Sequence, residues 1–374
     1  MSITDFLEPL NINQLSNDEA YKEGQLGKMM VVYENDFPDL EQVDIVLVGC
    51  NEERGNTGKK KSDHAPDTIR QQFYQLFYWH PEIKLADIGN VKRGATLADT
   101  YAALKIVISD LISIGKTVVI LGGSHDLTLS QYAAYRDTKK IIEAVCVDAK
   151  IDLSIEMPKP SEKFLMEILT GEPNYIRHYN HIGFQSYYVH PRILETMDKL
   201  RFDCFRVGTV KDNIEEMEPV IRNCQLFSFD MSAIANAFAP SNALTPNGFD
   251  GEQACTLMRY AGLSANINTI GIYGFNPEKD RDTLTAKQIS QMLWYVIDGR
   301  NKAKQEAPIT DKHSFNEYYT MFTEVQTIFL QSKKTGRWWM QLPDHRFIAC
   351  SYKDYQQAST NEIPERWLRA QERS

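Results

Sequence analysis

The stretch "IIEAVCVDAKIDLS" occupies residues 141–154. Its first half is an apolar, strand-like run ending at Cys146 and Val147. Its second half turns polar: Asp148 and Asp152 stand four apart with Lys150 between them. Carboxylates just past the carboxyl end of a strand are a common way to hold a metal ion. A lysine does not belong there, because a protonated ammonium has no lone pair to give.

The pattern recurs along the chain. Apolar runs ended by Gly, Asp or Asn lie at "DIVLVG" (44–49), "TVVILGG" (117–123), "HIGFQ" (181–185), "CFRVG" (204–208), "QLFSFD" (225–230) and "NTIGIYG" (268–274). Helix-like segments lie between them. "APDTIRQQFYQLFY" carries a proline in its first turn, which suits a helix start. "TLADTYAALKIVISDLISIG" stops at a glycine. "DGEQACTLMRYAGL" and "TAKQISQMLWYVIDG" have helical apolar spacing. Strands alternating with helices predict βαβ units: an α/β fold with a mostly parallel sheet covered on both faces, hence a three-layer αβα sandwich. In such sheets functional groups collect at the carboxyl ends of strands.

Composition sets outer bounds. The 374 residues are 43% apolar and 24% charged, as in ordinary globular proteins, with a formal net charge of −9. An acidic surface argues against nucleic-acid or anionic-membrane partners. No apolar run approaches the roughly 18 residues of a membrane helix. The first residues lack the basic start and apolar run of a signal peptide. The six cysteines form no CxxC pair, which fits reduced thiols and a cytoplasmic protein. Cys146 reads as plain core. "GNTGKKKS" (55–62) lacks phosphate-loop spacing and reads as a solvated basic loop. The chain divides into an N-terminal extension (1–41), an α/β domain (42–305) and an aromatic-rich C-terminal extension (306–374). The extension should begin with a helix-like amphipathic stretch near Asp311. It should then pack on the domain or a neighbour through Trp338, Trp339 and Trp367.

Three strand ends carry unusual groups: "LGGSHDLTLS" with His125 and Asp126, "VDAKIDLS" with Asp148, Lys150 and Asp152, and "SFDMSAIANAFAP" with Asp230 and Ser232. Each alone has a bland reading, since a histidine after Gly-Gly can cap a helix and aspartates at strand ends often begin loops. Together, and in this order, they resemble the ureohydrolase family of arginases, agmatinases and formimidoylglutamases, whose motifs run GGDHS, DAHxD and SxDxDxxDPxxAP. Ser228, Asp230, Ala237, Phe238, Ala239 and Pro240 fit the third motif without gaps. "APDTIR" resembles the family's GPxxIR, and "GFNP" (274–277) its EVNP. The resemblance spans roughly residues 42 to 300, and "SEKF" (161–164) and "IGFQSYY" (182–188) lean toward the formimidoylglutamase branch.

The resemblance implies an arginase-like fold with two manganese ions that activate hydroxide against a guanidine or imine carbon. It implies metal ligands at His125, Asp148, Asp152 and Asp230, which complete the first metal's shell. Lys150 and Ser232 stand where the second metal's own ligands belong, and Gly274 where a glutamate contacts the amidino end of the substrate. The motif order is also altered to "GGSHD", and Ala235 and Asn236 replace Asp-Pro.

One expectation is that the ammonium of Lys150 takes the second metal's place and balances Asp148, Asp152 and Asp230. At ~4 Å and an effective dielectric of about 20, a +1/+2 pair costs on the order of 8 kcal/mol before carboxylates offset it. A two-metal site is therefore not expected. The cofactor is none or one divalent metal, Mn or Zn. The leading expectation is a ureohydrolase-fold pseudoenzyme, without the usual amidine or guanidine hydrolysis. The alternative is a one-metal C–N hydrolase acting on formimidoylglutamate or a related linear amidine, with Lys150 as base or anion binder; Lys150 and Asp126 are the candidate catalytic residues. A metal-free reaction at His125 and Asp126 is a third reading. A small amidine ligand and a homo-oligomer are the expected partners.

Overall fold

A computed structural model describes residues 2–16, 21–57, 64–154, 159–322 and 325–372. Most of the strands in its main sheet are apolar and buried, which is the signature of parallel strands covered on both faces. In chain order the strands are β1 (Leu7–Glu8), β2 (Val31–Val32), β3 (Ile45–Gly49), β4 (Leu85–Val91), β5 (Thr117–Leu121), β6 (Ile142–Val147), β7 (Ile176–Phe184), β8 (Asp203–Arg206), β9 (Leu226–Asp230) and β10 (Thr269–Tyr273). They lie in the order β1-β4-β3-β5-β10-β9-β6-β7-β8, with β2 also on β4. Only β1 runs antiparallel to its neighbour. The first 41 residues thus add β1 and β2 to this sheet.

Alternate side chains of each strand feed opposite layers. Ile45, Leu47, Val119, Leu121, Phe227 and Phe229 pack under helices Ala65–Phe73, Gly251–Leu263 and Leu284–Lys304. Val46, Val48, Val118 and Ile120 face helix Leu97–Ser113. Ala144, Cys146 and Leu226 face helices Thr128–Asp137 and Pro160–Thr170. This is the three-layer αβα sandwich expected from the sequence. The run "CFRVG" is strand only to Arg206, and Val207 opens a helix. Of "GNTGKKKS", residues 58–62 lie outside the described residues.

Register sets the site. Cys146 and Gly271 lie level with Ser228, and Leu121 level with Ile272. The carboxyl ends of β5, β10, β9 and β6 therefore end side by side, and bring their following residues together.

Arg70 in "APDTIR" explains that motif structurally. The side chain is fully buried and grips Asp87 through Nε (2.8 Å) and Nη2 (2.9 Å). It also donates to Asn90 Oδ1 (2.6 Å) and to the Gly89 carbonyl (2.9 Å). One guanidinium thus fastens helix Ala65–Phe73 to β4.

The C-terminal region departs from expectation. After Asp311 a short 3₁₀ turn, Lys312–Ser314, leads not into an amphipathic helix but into a four-stranded antiparallel sheet, β11 (Phe315–Phe322), β12 (Val325–Ser332), β13 (Trp338–Gln341) and β14 (Phe347–Cys350), followed by helices Tyr352–Ser359 and Glu365–Glu372. Its aromatic and β-branched residues favour strands, and cross-strand pairs such as Tyr318 with Phe329 outweigh the apparent helical spacing. Trp338 stacks on Tyr318 and Tyr355 at 5.2 and 5.0 Å, and Trp367 meets Phe322.

A buried joint binds this module to the α/β domain. The Trp339 ring lies 4.5 Å from the Arg222 guanidinium and 5.5 Å from that of Arg337. Arg222 donates to the Trp338 carbonyl (2.8 Å) and to Glu218 (2.9 Å), and Arg337 pairs with Glu306 (2.9 Å). Cations over an indole face, desolvated on both sides, make a tight contact.

Two stability outcomes follow in chemical denaturation. Arg70→Met strands the Asp87 carboxylate in the core and should cost about 3–5 kcal/mol. Trp339→Ala empties the joint and should cost about 3–5 kcal/mol.

Candidate functional site

The turn after β5 brings His125 into place. Gly122 and Gly123 have φ of +82° and +84°, and a Cβ on Gly123 would sit 2.2 Å from Leu127 Cδ1 and 2.9 Å from the Cys50 carbonyl. Only glycine suits that crossing. The turn is then tied on both sides: Gly122 N–H donates to the Ile272 carbonyl (3.0 Å), and Ser124 N–H to the Glu52 carbonyl (2.8 Å). His125 opens a short 3₁₀ turn, its ring packed against Phe164 (4.6 Å) and Tyr273 (5.9 Å).

Asp148 follows β6 directly, with its N–H on the Ile182 carbonyl (3.1 Å). Asp152 is pinned from its carbonyl by Leu165 N–H of the next helix (3.2 Å). Asp230 ends β9 and caps the turn Met231–Ala233 by accepting from Ser232 N–H (2.8 Å).

These four sequence-assigned metal groups converge. His125 Nδ1 lies 3.1 Å from Asp148 Oδ2, 3.0 Å from Asp152 Oδ2 and 3.7 Å from Asp230 Oδ2. The group is nearly dry: His125, Asp148 and Asp152 are 3%, 4% and 7% exposed. Nδ1 reaches ion-pair distance, yet no hydrogen bond satisfies it. Among the described residues, His125, Asp148 and Asp152 are a set whose ligand atoms lie within 4.8 Å of one another, close enough to share one ion.

Electrostatics show the strain of that arrangement without a cation. Burial, and then the charge of Asp148, raise the Asp152 carboxyl well above its ordinary range and lift Asp230 to about 6. Burial also pushes Asp148 up, but the His125 ring and the Ser232 hydroxyl outweigh it and hold Asp148 down at about 2. Burial opposes charge on His125, yet Cys146, Asp148 and Asp152 lift its pKa well above the usual histidine value. Protons thus occupy part of the site when no metal does.

Lys150 departs from expectation. Its ammonium does not sit among the aspartates: it pairs with Glu162 Oε1 at 3.8 Å, on a side chain 37% exposed. Only its backbone serves the cluster, with N–H donating to Asp148 Oδ1 (3.2 Å). A flexible, strongly hydrated ammonium gains more from a wet rim beside a carboxylate than from burial. Ser232 does enter: its hydroxyl donates to Asp148 Oδ1. Asp126 is fully buried, accepts from Tyr101 Oη, and lies against Gly55, where a Cβ would meet its Oδ1 at 1.9 Å. Gly274 has φ +79°, and a Cβ there would lie 2.7 Å from Asp230 Oδ2. A glutamate here, as the family resemblance implies, would be strained by the backbone and would press on Asp230.

Two participants escaped the sequence reading. His181, within "HIGFQ", donates from Nε2 to the Asp148 carbonyl (3.1 Å) and accepts on Nδ1 from Tyr179 Oη (3.1 Å). Burial lowers its pKa to about 4, so it is neutral and holds the Asp148 backbone. Cys146 is not mere core, since its Sγ lies 3.5 Å from His125 Nε2. The only signal for either was a polar residue inside an apolar strand.

A cleft of about 1030 Å³ opens elsewhere, between β7, β8 and the C-terminal module, lined by His178, Asp203, Arg366 and Arg369. Its guanidinium groups are already paired, Arg366 with Glu216 and Arg369 with Asp203. The candidate metal site is the group of His125 and its aspartates instead. Protons compete with metal for these groups, so apparent Mn²⁺ affinity should rise as pH climbs through about 6, where Asp230 loses its proton, and keep rising above the ordinary histidine range as His125 loses its own, as a calorimetric titration would read.

Several known proteins are similar to this chain. A formimidoylglutamase of Staphylococcus haemolyticus is 25% identical over 289 residues, covering 70% of this chain and 90% of its own. One from Staphylococcus aureus is 24% identical over 283 residues, with the same coverage. Among solved structures, formimidoylglutamase of Bacillus subtilis aligns with a TM-score of 0.66 at 17% identity, covering 76% of this chain and 95% of its own. Formiminoglutamase of Trypanosoma cruzi, solved with Mn²⁺, aligns at 0.63 and 16% identity, covering 71% and 99%. These structural likenesses speak to the fold. No helix of the described residues is long and apolar enough to cross a membrane. Residues 43–298 match the family model described as the arginase family, and the chain belongs to that family.

Proposed function

We propose that this chain is a one-metal member of the arginase family that has lost the two-metal hydrolysis of amidines and guanidines. The observation that carries this reading is how the carboxylate oxygens are shared out. The Oδ2 atoms of Asp148, Asp152 and Asp230 all turn toward the unsatisfied Nδ1 of His125. The Oδ1 atoms of Asp148 and Asp230 are already engaged, by Ser232 and by the Lys150 N–H. In the family pattern those two aspartates bridge both metals, so their second oxygens are the ones a second ion needs.

One imidazole nitrogen and three carboxylates fit a single Mn²⁺ or Zn²⁺. Two ions do not fit these residues. Lys150 points to Glu162, and Ser232 supplies a hydroxyl where a carboxylate charge is required. A divalent cation bound there would supply Lewis acidity, lowering the pKa of water and polarising a C=N group. The chain's own residues would orient it: His181 holds the Asp148 backbone, Ser232 holds its side chain, and Phe164 and Tyr273 fix the His125 ring. Gly274 offers no side chain to grip an amidino group.

A second reading, a one-metal C–N hydrolase acting on formimidoylglutamate or a related linear amidine, is favoured by the retention of all four first-metal groups. The formimidoylglutamase relatives point the same way.

Elemental analysis of protein purified without chelator and then offered Mn²⁺ or Zn²⁺ should give about one ion per chain, and Asp152→Ala should remove it. Two ions per chain, or none, would overturn the one-metal reading. Supplied with N-formimidoyl-L-glutamate, the Mn²⁺-loaded protein should release no L-glutamate above an Asp152→Ala control. Release that the control lacks would establish the second reading. Lys150→His with Ser232→Asp should raise the count toward two, since it returns both missing ligands.

A further inference from the structure

The relation between His125 and the strand behind it goes beyond the list of ligands. His125 presents Nδ1 to the aspartates, and its other nitrogen points into the core. There Nε2 lies 3.0 Å from Ser228 Oγ, and Ser228 Oγ lies 2.8 Å from Thr128 Oγ1. All three residues are almost completely buried, at 3%, 0% and 3% exposed. The other group near Nε2 is the Cys146 thiol at 3.5 Å, a weak donor and a weak acceptor.

A neutral imidazole has one N–H and one lone pair, and the partner of one nitrogen decides the state of the other. A ligand at Nδ1 must have its proton on Nε2. That proton needs an acceptor in a dry interior, where an unpaired donor is costly. A hydroxyl can accept from Nε2–H and donate onward, and Thr128 Oγ1 is in place to receive. Ser228 stands mid-strand on β9, level with Cys146 and Gly271, so its Oγ position is set by the sheet rather than by a mobile loop.

Resting on the one-metal reading, we propose that Ser228, backed by Thr128, is a positioning residue that fixes the proton of His125 on Nε2 and keeps Nδ1 available to the cation. The ring, backed by Ser228 and packed against Phe164 and Tyr273, is held with Nδ1 toward the three aspartates.

The test uses the full chain and two readouts. In a calorimetric titration with Zn²⁺, Ser228→Ala should bind about 10–100-fold more weakly than the unaltered chain, the usual cost of removing an outer partner of a metal-bound histidine. Thr128→Val should weaken binding in the same direction by less, and it decides the matter if Ser228→Ala does not fold. The second readout needs no metal: the His125 Nε2–H resonance, identified by its loss in His125→Asn, should exchange slowly in the unaltered chain and rapidly in Ser228→Ala. Unchanged Zn²⁺ affinity, or an Nε2–H resonance equally protected in both variants, would overturn the proposal. If the unaltered chain takes up no Zn²⁺ but its Nε2–H protection is lost in Ser228→Ala, the positioning role stands and the one-metal reading falls.

Discussion

Three carboxylates and an imidazole, buried at the carboxyl ends of neighbouring strands, cannot all carry charge in a dry site without a cation. That constraint organises this end of the molecule. Without a metal the balance is struck by protons: Asp152 and Asp230 are driven toward their neutral forms while Asp148 stays ionised. Much of the local structure serves to keep the cluster together despite that cost. His181 holds the backbone of Asp148, Ser232 its side chain, and the helix after Asp152 holds that residue's carbonyl. A fold that spends so many hydrogen bonds on an unfavourable cluster has the geometry of a site for a cation.

Much of this was legible in the sequence. The α/β class followed from apolar runs alternating with helical segments, because parallel strands must be covered on both faces. The residues that the family resemblance implies as metal ligands stand at three strand ends, and the structure brings them together. The side-chain direction of Lys150 was not legible. Sequence places its Cα between two ligands, but a long flexible side chain chooses its own partner, and Glu162 comes from the next helix. Nor could the sequence reveal that Asp126 turns to Tyr101 and Gly55, or that a side chain at Gly274 would crowd Asp230. Those depend on backbone directions set by contacts far apart in the chain. His181 and Cys146 were hidden because one polar residue in an apolar strand looks the same whether or not it faces a site.

The C-terminal module shows the limit of periodicity. Residues 315–332 contain apolar positions that read as amphipathic helix, yet they form a hairpin whose aromatic pairs meet across strands. The module is joined by desolvated contacts, above all those of Trp339 with the guanidinium groups of Arg222 and Arg337. The aromatic residues of this segment are therefore chiefly packing groups, and the module meets the α/β domain at Arg222, ahead of β9, rather than at the carboxyl strand ends.

The count of cations at the cluster tests the account most directly. Crystals soaked in Mn²⁺ and measured for anomalous scattering should show a single peak among His125, Asp148, Asp152 and Asp230, with Ser232 still bonded to Asp148 and Lys150 still at Glu162. Two peaks about 3.5–4 Å apart, the spacing of two-metal hydrolases, would contradict it, as would no peak at all.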